Sequence, residues 1–309
     1  MIFELSDNFI RSVSEEDLSD LVVRIMWGNH FLIVGGSSES RLLDAVLKHA
    51  GTNDRALFEK YILYGINPTL EIQTYLTTVT DTNYSYAQLK ELAIRPAILL
   101  MENLREWGAY LRMIDVYRSN PQFSNLYKLL WEVVNNVDLF MPLQAGGCGE
   151  LVHMIKSLSH RGYSRIAKTK ICIVFDRDTT SYSKFKFSYN PLFYKLCGKK
   201  PPVLTNGDIY TLRQAKYIWH MWYRREIENY FPDSAFIALG KVRKAGKGLF
   251  ENNPYAHVKD YYPYKKNDLK RLPMNMTRNL FEQGLTHFSE GGITMSELEL
   301  FLLKIVKII

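Results

Sequence analysis

The sequence predicts an α/β fold in which a parallel sheet is flanked by helices, with an extra N-terminal α/β or mixed region and a helical C-terminus. Three observations predict it. Short, wholly apolar runs, Ile98-Leu99-Leu100-Met101 and Ile171-Cys172-Ile173-Val174-Phe175, have the length and composition of strands buried on both faces. Between them lie stretches with helical spacing of apolar residues, and such alternation marks a parallel sheet whose crossovers are helices. Each run also ends directly in acids, Glu102 in one case and Asp176-Arg177-Asp178 in the other. That is the sheet edge at which an open α/β fold gathers its ligands.

Residues 1–92 read as an accessory region. Ser14-Glu15-Glu16-Asp17 carries the acids of a helix start, where the helix dipole favours negative charge. Residues 30–34 read as a strand that ends in Gly35-Gly36-Ser37-Ser38, and residues 39–50 continue with helical spacing of Leu42, Leu43, Val46 and Leu47. The glycine-serine turn lacks the lysine and spacing of a phosphate loop and is read as a plain tight turn. Residues 67–84, rich in Thr, Asn and Tyr, are expected to be irregular or to form short strands.

Residues 93–240 form the expected catalytic domain. Strand Ala97–Met101 leads into a helix that presents Trp107, Leu111, Ile114 and Tyr117 on one face. A helix over 125–134, a strand over 139–143, and a glycine turn at Gly146-Gly147-Cys148-Gly149 opening a helix over 151–158 come next. The third strand spans 170–175. Residues 179–206, with Pro201-Pro202, read as a loop or insertion. A helix is expected near 209–215, and the aromatic run 217–223 as the fourth strand. Residues 241–309 form a basic extension that ends in an amphipathic helix over 296–309, a docking or dimerisation surface on this reading.

The chain has 309 residues, 47% apolar and 23% charged, which excludes a disordered chain and allows a sizeable core. Lys and Arg outnumber Asp and Glu by 39 to 32, a net +7 that attracts polyanions such as nucleic acid. Three cysteines without CxxC spacing argue against a disulfide framework or a structural zinc site. The N-terminus lacks the apolar core of a secretory signal, and no apolar stretch approaches the roughly 20 residues that span a bilayer. A cytoplasmic protein without a membrane partner is expected.

The acids carry the chemistry. A carboxylate at the end of a buried strand costs several kcal/mol to desolvate unless something compensates its charge. Side chains two apart in a strand share a face, so Asp176 and Asp178 are expected to face one ion with Arg177 turned aside. Glu102 and Glu106 lie one helical turn apart. Converging carboxylates repel without cations, and Mg²⁺ or Mn²⁺ would relieve that repulsion.

Glu102 after the first strand, Gly146-Gly147 after the second and Asp176-x-Asp178 after the third together resemble the Toprim domain shared by type II topoisomerases, bacterial primases and OLD-family nucleases. The resemblance covers residues 95–235, under half of the chain. Glu106 and the stretch Arg224-Arg225-Glu226-Ile227-Glu228-Asn229-Tyr230 are similar to elements of the OLD nucleases in particular. The chain departs from the family in having Asn103 where a glycine commonly follows the first acid, and in having no P-loop ATPase motif.

The resemblance implies a metal-dependent nuclease acting on DNA or RNA. Glu102, Glu106, Asp176, Asp178 and Glu228 would hold Mg²⁺ or Mn²⁺, with Arg225 and a C-terminal lysine, Lys266 or Lys270, neutralising transition-state charge. Arg224 is a further candidate phosphate contact. The basic clusters 241–247 and 265–271, with Tyr261, Tyr262 and Tyr264 beside them, have the composition of a single-strand grip and equally that of a solvated face. The resemblance also implies a separately encoded ATPase subunit and a role in anti-phage defence, and a homodimer is compatible with it. Two other readings stay open: a Toprim-like binding or scaffold subunit without catalysis, and an acid-rich α/β phosphatase.

Overall fold

In the computed structural model, which describes residues 1–163, 167–181, 184, 187–214 and 216–309, the chain is a mixed α/β protein with parallel sheets flanked by helices. It divides into two units. One comprises Met1–Ala97 with Glu132–Met141 and Val306–Ile309, and the other Ile98–Trp131 with Pro142–Ile305. No helix among the described residues is long and apolar enough to cross a membrane.

The first unit is built on strands β1 (Ile2–Leu5), β2 (Phe31–Val34) and β3 (Thr78–Thr80), parallel and in the order β2-β1-β3. Strand β1 is four residues long, IFEL, too short to carry a strand pattern in the sequence. The predicted helix start is in place: Ser14 caps helix Glu15–Trp27 by accepting from the Asp17 backbone N–H. Residues 67–84 prove partly helical, with Leu70–Tyr75 preceding β3.

The Gly35-Gly36-Ser37-Ser38 turn opens helix Gly36–His49, as its pattern implied. The hydroxyls of Ser37 and Ser38 both donate to the carboxylate of Asp7, at 2.6 and 2.5 Å. The chain's own Asp7 thus takes up both hydroxyls of the turn. The cavity at this sheet edge, about 480 Å³, is lined by three acids, Glu4, Asp7 and Asp81, and Asp81 is bonded to Ser6.

The four-stranded sheet has the order β5-β4-β6-β7, from β4 (Ala97–Met101), β5 (Phe140–Gln144), β6 (Ile171–Phe175) and β7 (Ile218–Met221). Strands β4, β6 and β7 are parallel, with Met101 opposite Val174 and Phe175 opposite Met221. All residues of β4, β6 and β7 are buried, which is what sequences reading AILLM, ICIVF and IWHM require.

Several expectations are corrected in this region. The segment read as an insertion contains a helix, Asn190–Cys197, started by Pro191 at its first turn and stopped by Gly198 at φ 75°. Leu192, Phe193 and Leu196 are the buried face that the loop reading overlooked. Tyr182, Ser183, Phe185 and Lys186 of that segment lie outside the described residues, as does Ala215 at the end of the helix expected over 209–215. The described helix there is Asn206–Ile209, one residue into the expected range, and it is fixed by a capping box between Thr205 and Asp208.

The C-terminal helix forms over Glu297–Val306 after a hairpin of β8 (His287–Glu290) and β9 (Ile293–Ser296). It is not an amphipathic surface element. Leu298, Leu300, Phe301, Leu302, Leu303 and Ile305 are buried, and so are Glu297, Glu299 and Lys304. Each of these charges has hydrogen-bond partners: Lys304 Nζ donates to the carbonyls of Ile209 and Trp219, Glu297 accepts from the Tyr223 N–H, and Glu299 accepts from Asn120 and the Ser296 N–H. A helix buried on all sides offers no docking face, so that expectation falls.

Candidate metal and phosphodiester site

Strand order places the site. From β4 the chain crosses to β5 on one side and then returns past β4 to β6 on the other. The crossovers diverge between β4 and β6, and the carboxyl ends of strands at such a switch point border a crevice. Glu102 is the residue after β4 and Asp176 the residue after β6. A cavity of about 590 Å³ opens there, and Glu102, Glu106, Asp176, Asp178, Glu226 and Glu228 all line it.

Local structure aims each acid. The Ala145 and Gly146 N–H groups donate to the carbonyls of Met101 and Glu102, which ties the exit of β5 to the exit of β4. Gly146 and Gly147 adopt φ 97° and 142°, a turn that only glycine enters without strain. Asn103 caps the 3₁₀ turn Leu104–Glu106 through the Arg105 N–H, and the helix proper begins at Trp107. Glu102 and Glu106 therefore meet across a cap and a tight turn rather than along one helix.

Asp176 and Asp178 also reach the cavity by another route than strand alternation, since β6 stops at Phe175. Asp178 sits at φ 58° with its N–H donating to the Arg225 carbonyl, and Asp176 Oδ1 accepts from the Ile227 N–H. Arg177 is turned aside as expected. It is fully buried, and its guanidinium donates to the carbonyls of Trp222 and Tyr223 and to the Tyr210 hydroxyl, clamping the end of β6 to the end of β7.

Glu106 and Glu228 are buried and accept hydrogen bonds from the hydroxyls of Tyr110 and Tyr264. Burial is the main reason that Glu106 is pushed up to about 8. The Tyr110 bond opposes it, and the charges of Glu228 and Glu102 add to it. Glu228 is pushed up to about 7 by burial and then by Glu226. Asp176 is held well above the carboxylate range by burial and by the charges of Glu106, Glu102, Glu228 and Glu226.

The basic candidates divide. Lys266 lines the acid cavity together with Arg105, Lys259 and His257. Lys270 instead lines a separate hollow beside Gly108, Leu111 and Arg112. Arg225 is not among the lining residues; its backbone bonds to Asp178 and to Pro254 hold the loop. Arg224 is a structural residue rather than a phosphate contact. Its guanidinium is buried over the Tyr230 ring and donates to the carbonyls of Asn229, Gln283 and Gly284. Tyr262 and Tyr264 are likewise buried, their hydroxyls bonded to Asp233 and Glu228, and are not stacking platforms.

Sequence reasoning passed over Glu226 and His257 as site residues. Glu226 Oε1 lies 2.8 Å from His257 Nδ1 and accepts from the Val258 N–H at 3.0 Å. Nothing local marks this pair, which is 31 residues apart in the chain.

The donor set suits a hard divalent cation: oxygen ligands only, partly buried, and raising one another's affinity for protons where a cation would substitute. The side chains do not stand as a finished coordination shell. Among the described residues no three Asp, Glu, His or Cys groups are placed to hold an ion together. Compared with protein-family models, with curated proteins and with solved structures, the chain matches none.

Proposed function

We propose that this chain is a Toprim-type, metal-dependent nuclease that hydrolyses phosphodiester bonds of DNA or RNA. One observation carries the reading. Six acids from three separate stretches of chain converge at the switch point between β4 and β6, and the charges of Glu102, Glu106, Glu226 and Glu228 all act on Asp176. Folding such a cluster is unfavourable on its own, and a divalent cation with a polyanionic substrate is what makes it useful.

On this reading Glu102, Asp176 and Asp178 hold Mg²⁺ or Mn²⁺, with Glu106 and Glu228 at a second position. A bound cation would offset the charge that builds on the phosphate during in-line attack by water. Lys266 and Arg105 lie on the same cavity and supply fixed positive charge to the phosphate. Lys266 takes this role in place of Lys270, and Arg225 orders the loop that carries Glu226 and Glu228. Net charge of +7 favours binding of either nucleic acid. A separately encoded ATPase subunit and a role in anti-phage defence remain part of the proposal, resting on the resemblance to OLD nucleases.

The test is incubation of the purified protein with Mg²⁺ or Mn²⁺ and a panel of DNAs, tRNA and mRNA, alongside Asp176→Ala and Glu102→Ala. Cleavage by the wild type alone supports the reading; equal cleavage by all three proteins sinks it. A second reading, binding without cleavage, is favoured by the absence of a ready coordination shell among the described residues. Calorimetry that detects no ion binding would favour it further.

A further inference from the structure

We propose that His257, oriented by Glu226, takes the proton from the attacking water. The proposal deepens the nuclease reading and rests on it. The geometry is that of an imidazole held by one nitrogen. A carboxylate can only accept, so the 2.8 Å contact between Glu226 Oε1 and His257 Nδ1 puts the hydrogen on Nδ1. The other nitrogen, Nε2, then carries a lone pair. His257 lines the acid cavity with its side chain 36% exposed, and no described residue bonds Nε2.

Glu226 is fixed in turn. Its second donor is the Val258 N–H, and its own N–H donates to Asn229 Oδ1 while Asn229 Nδ2 donates to the Ala256 carbonyl. The loop bearing His257 and the turn bearing Glu226 are thus bonded at three points. This is the base-and-orienter arrangement of general-base catalysis, here beside carboxylates fitted to a cation. Glu226 is a positioning residue, and its charge reaches both Asp176 and Glu228.

A water O–H bond breaks and its proton passes to His257 Nε2, while the oxygen forms the new bond to phosphorus. The P–O bond to the leaving sugar oxygen breaks, that oxygen takes a proton from solvent, and the imidazolium returns its proton to solvent. Nothing is oxidised or reduced.

Two measurements test it. In ¹⁵N-histidine NMR of the metal-free protein, His257 is expected as the Nδ1–H tautomer, and Glu226→Ala should release that preference; an Nε2–H tautomer in the wild type overturns the proposal. On a substrate that the wild type cuts, His257→Ala should lose about 100-fold or more in kcat. Its KM should change by less than about threefold, since only a transition-state interaction is removed. Imidazole in the buffer should restore cleavage to His257→Ala and not to Asp176→Ala. Glu226→Gln keeps an acceptor for the Val258 N–H and should fold; it is expected to lose about tenfold in kcat. Wild-type cleavage matched by His257→Ala, or a loss that imidazole does not restore, overturns the proposal and leaves the nuclease reading standing. A wild type that cuts nothing in the panel overturns both.

Discussion

Glu106→Gln is expected to stabilise the metal-free protein at pH 8 and to change it little at pH 5. Glu106 is buried and its carboxyl is raised from 4.5 to about 8. A raised carboxyl binds its proton more tightly in the folded state, so stability is present below the unfolded value and is lost as pH rises through the window from about 4.5 to about 8. Worked through that window, the loss between pH 5 and pH 8 is roughly 3 to 4 kcal/mol for this one group. Glutamine keeps the oxygen that accepts from Tyr110 and has no proton to lose. Glu228 and Asp176 repel Glu106 as well, so removing its charge eases their ionisation too.

The assay is urea unfolding in EDTA at pH 5, 6, 7 and 8 for both proteins. Other groups bend the curve of each protein alone. His220, pushed down to about 4 by burial, takes stability away as pH falls through its range. Lys170 and Lys304, both pushed down to about 7 by burial, return stability as pH rises above 7. These groups are common to both proteins and cancel in the difference. The difference should open as pH rises and reach at least about 2 kcal/mol at pH 8. Mg²⁺ at a hundred times its dissociation constant should then restore about 2.7 kcal/mol to the wild type. Parallel pH curves for the two proteins would refute the claim that Glu106 is folded against its charge.

Further outcomes follow from the same geometry. Asp176→Ala and Glu102→Ala should lose cleavage while keeping far-ultraviolet circular dichroism and urea midpoints near wild type, because removing one of several repelling acids relieves the fold; a collapsed midpoint would show that these acids are structural. Lys266→Ala should slow cleavage and Lys270→Ala should not, as read by single-turnover rates, and the reverse order would place the phosphate on the other side of the segment Lys266–Lys270. Arg224→Ala should destabilise the protein by about 2 to 4 kcal/mol by leaving the carbonyls of Asn229, Gln283 and Gly284 without their donor. Unchanged stability with weakened nucleic-acid binding would return Arg224 to the list of phosphate contacts.

What was legible in the sequence was what lies next to its cause in the chain. Glu102 and Asp176 each follow a wholly apolar strand, and the strand both buries their backbone and points them at the switch point, so five neighbouring residues suffice to read them. The Gly146-Gly147 turn is legible for the same reason, since only glycine takes those angles cheaply. Asp178 lines the cavity for a reason that strand alternation does not supply: β6 ends at Phe175, and a left-handed residue bonded to Arg225 does the aiming. The burial of the C-terminal helix was illegible because Glu297, Glu299 and Lys304 look like a solvated face until their partners, up to 179 residues away, are in position. Glu226 and Glu228 show the limit most sharply. They are two residues apart and chemically alike, yet one is bonded to His257 and the other to Tyr264. Which acid meets an imidazole and which a phenol is decided by where the segment from 254 to 266 places His257 and Tyr264. A search for this site in another chain should therefore start from the two strand ends and ask of each later acid what its partner is.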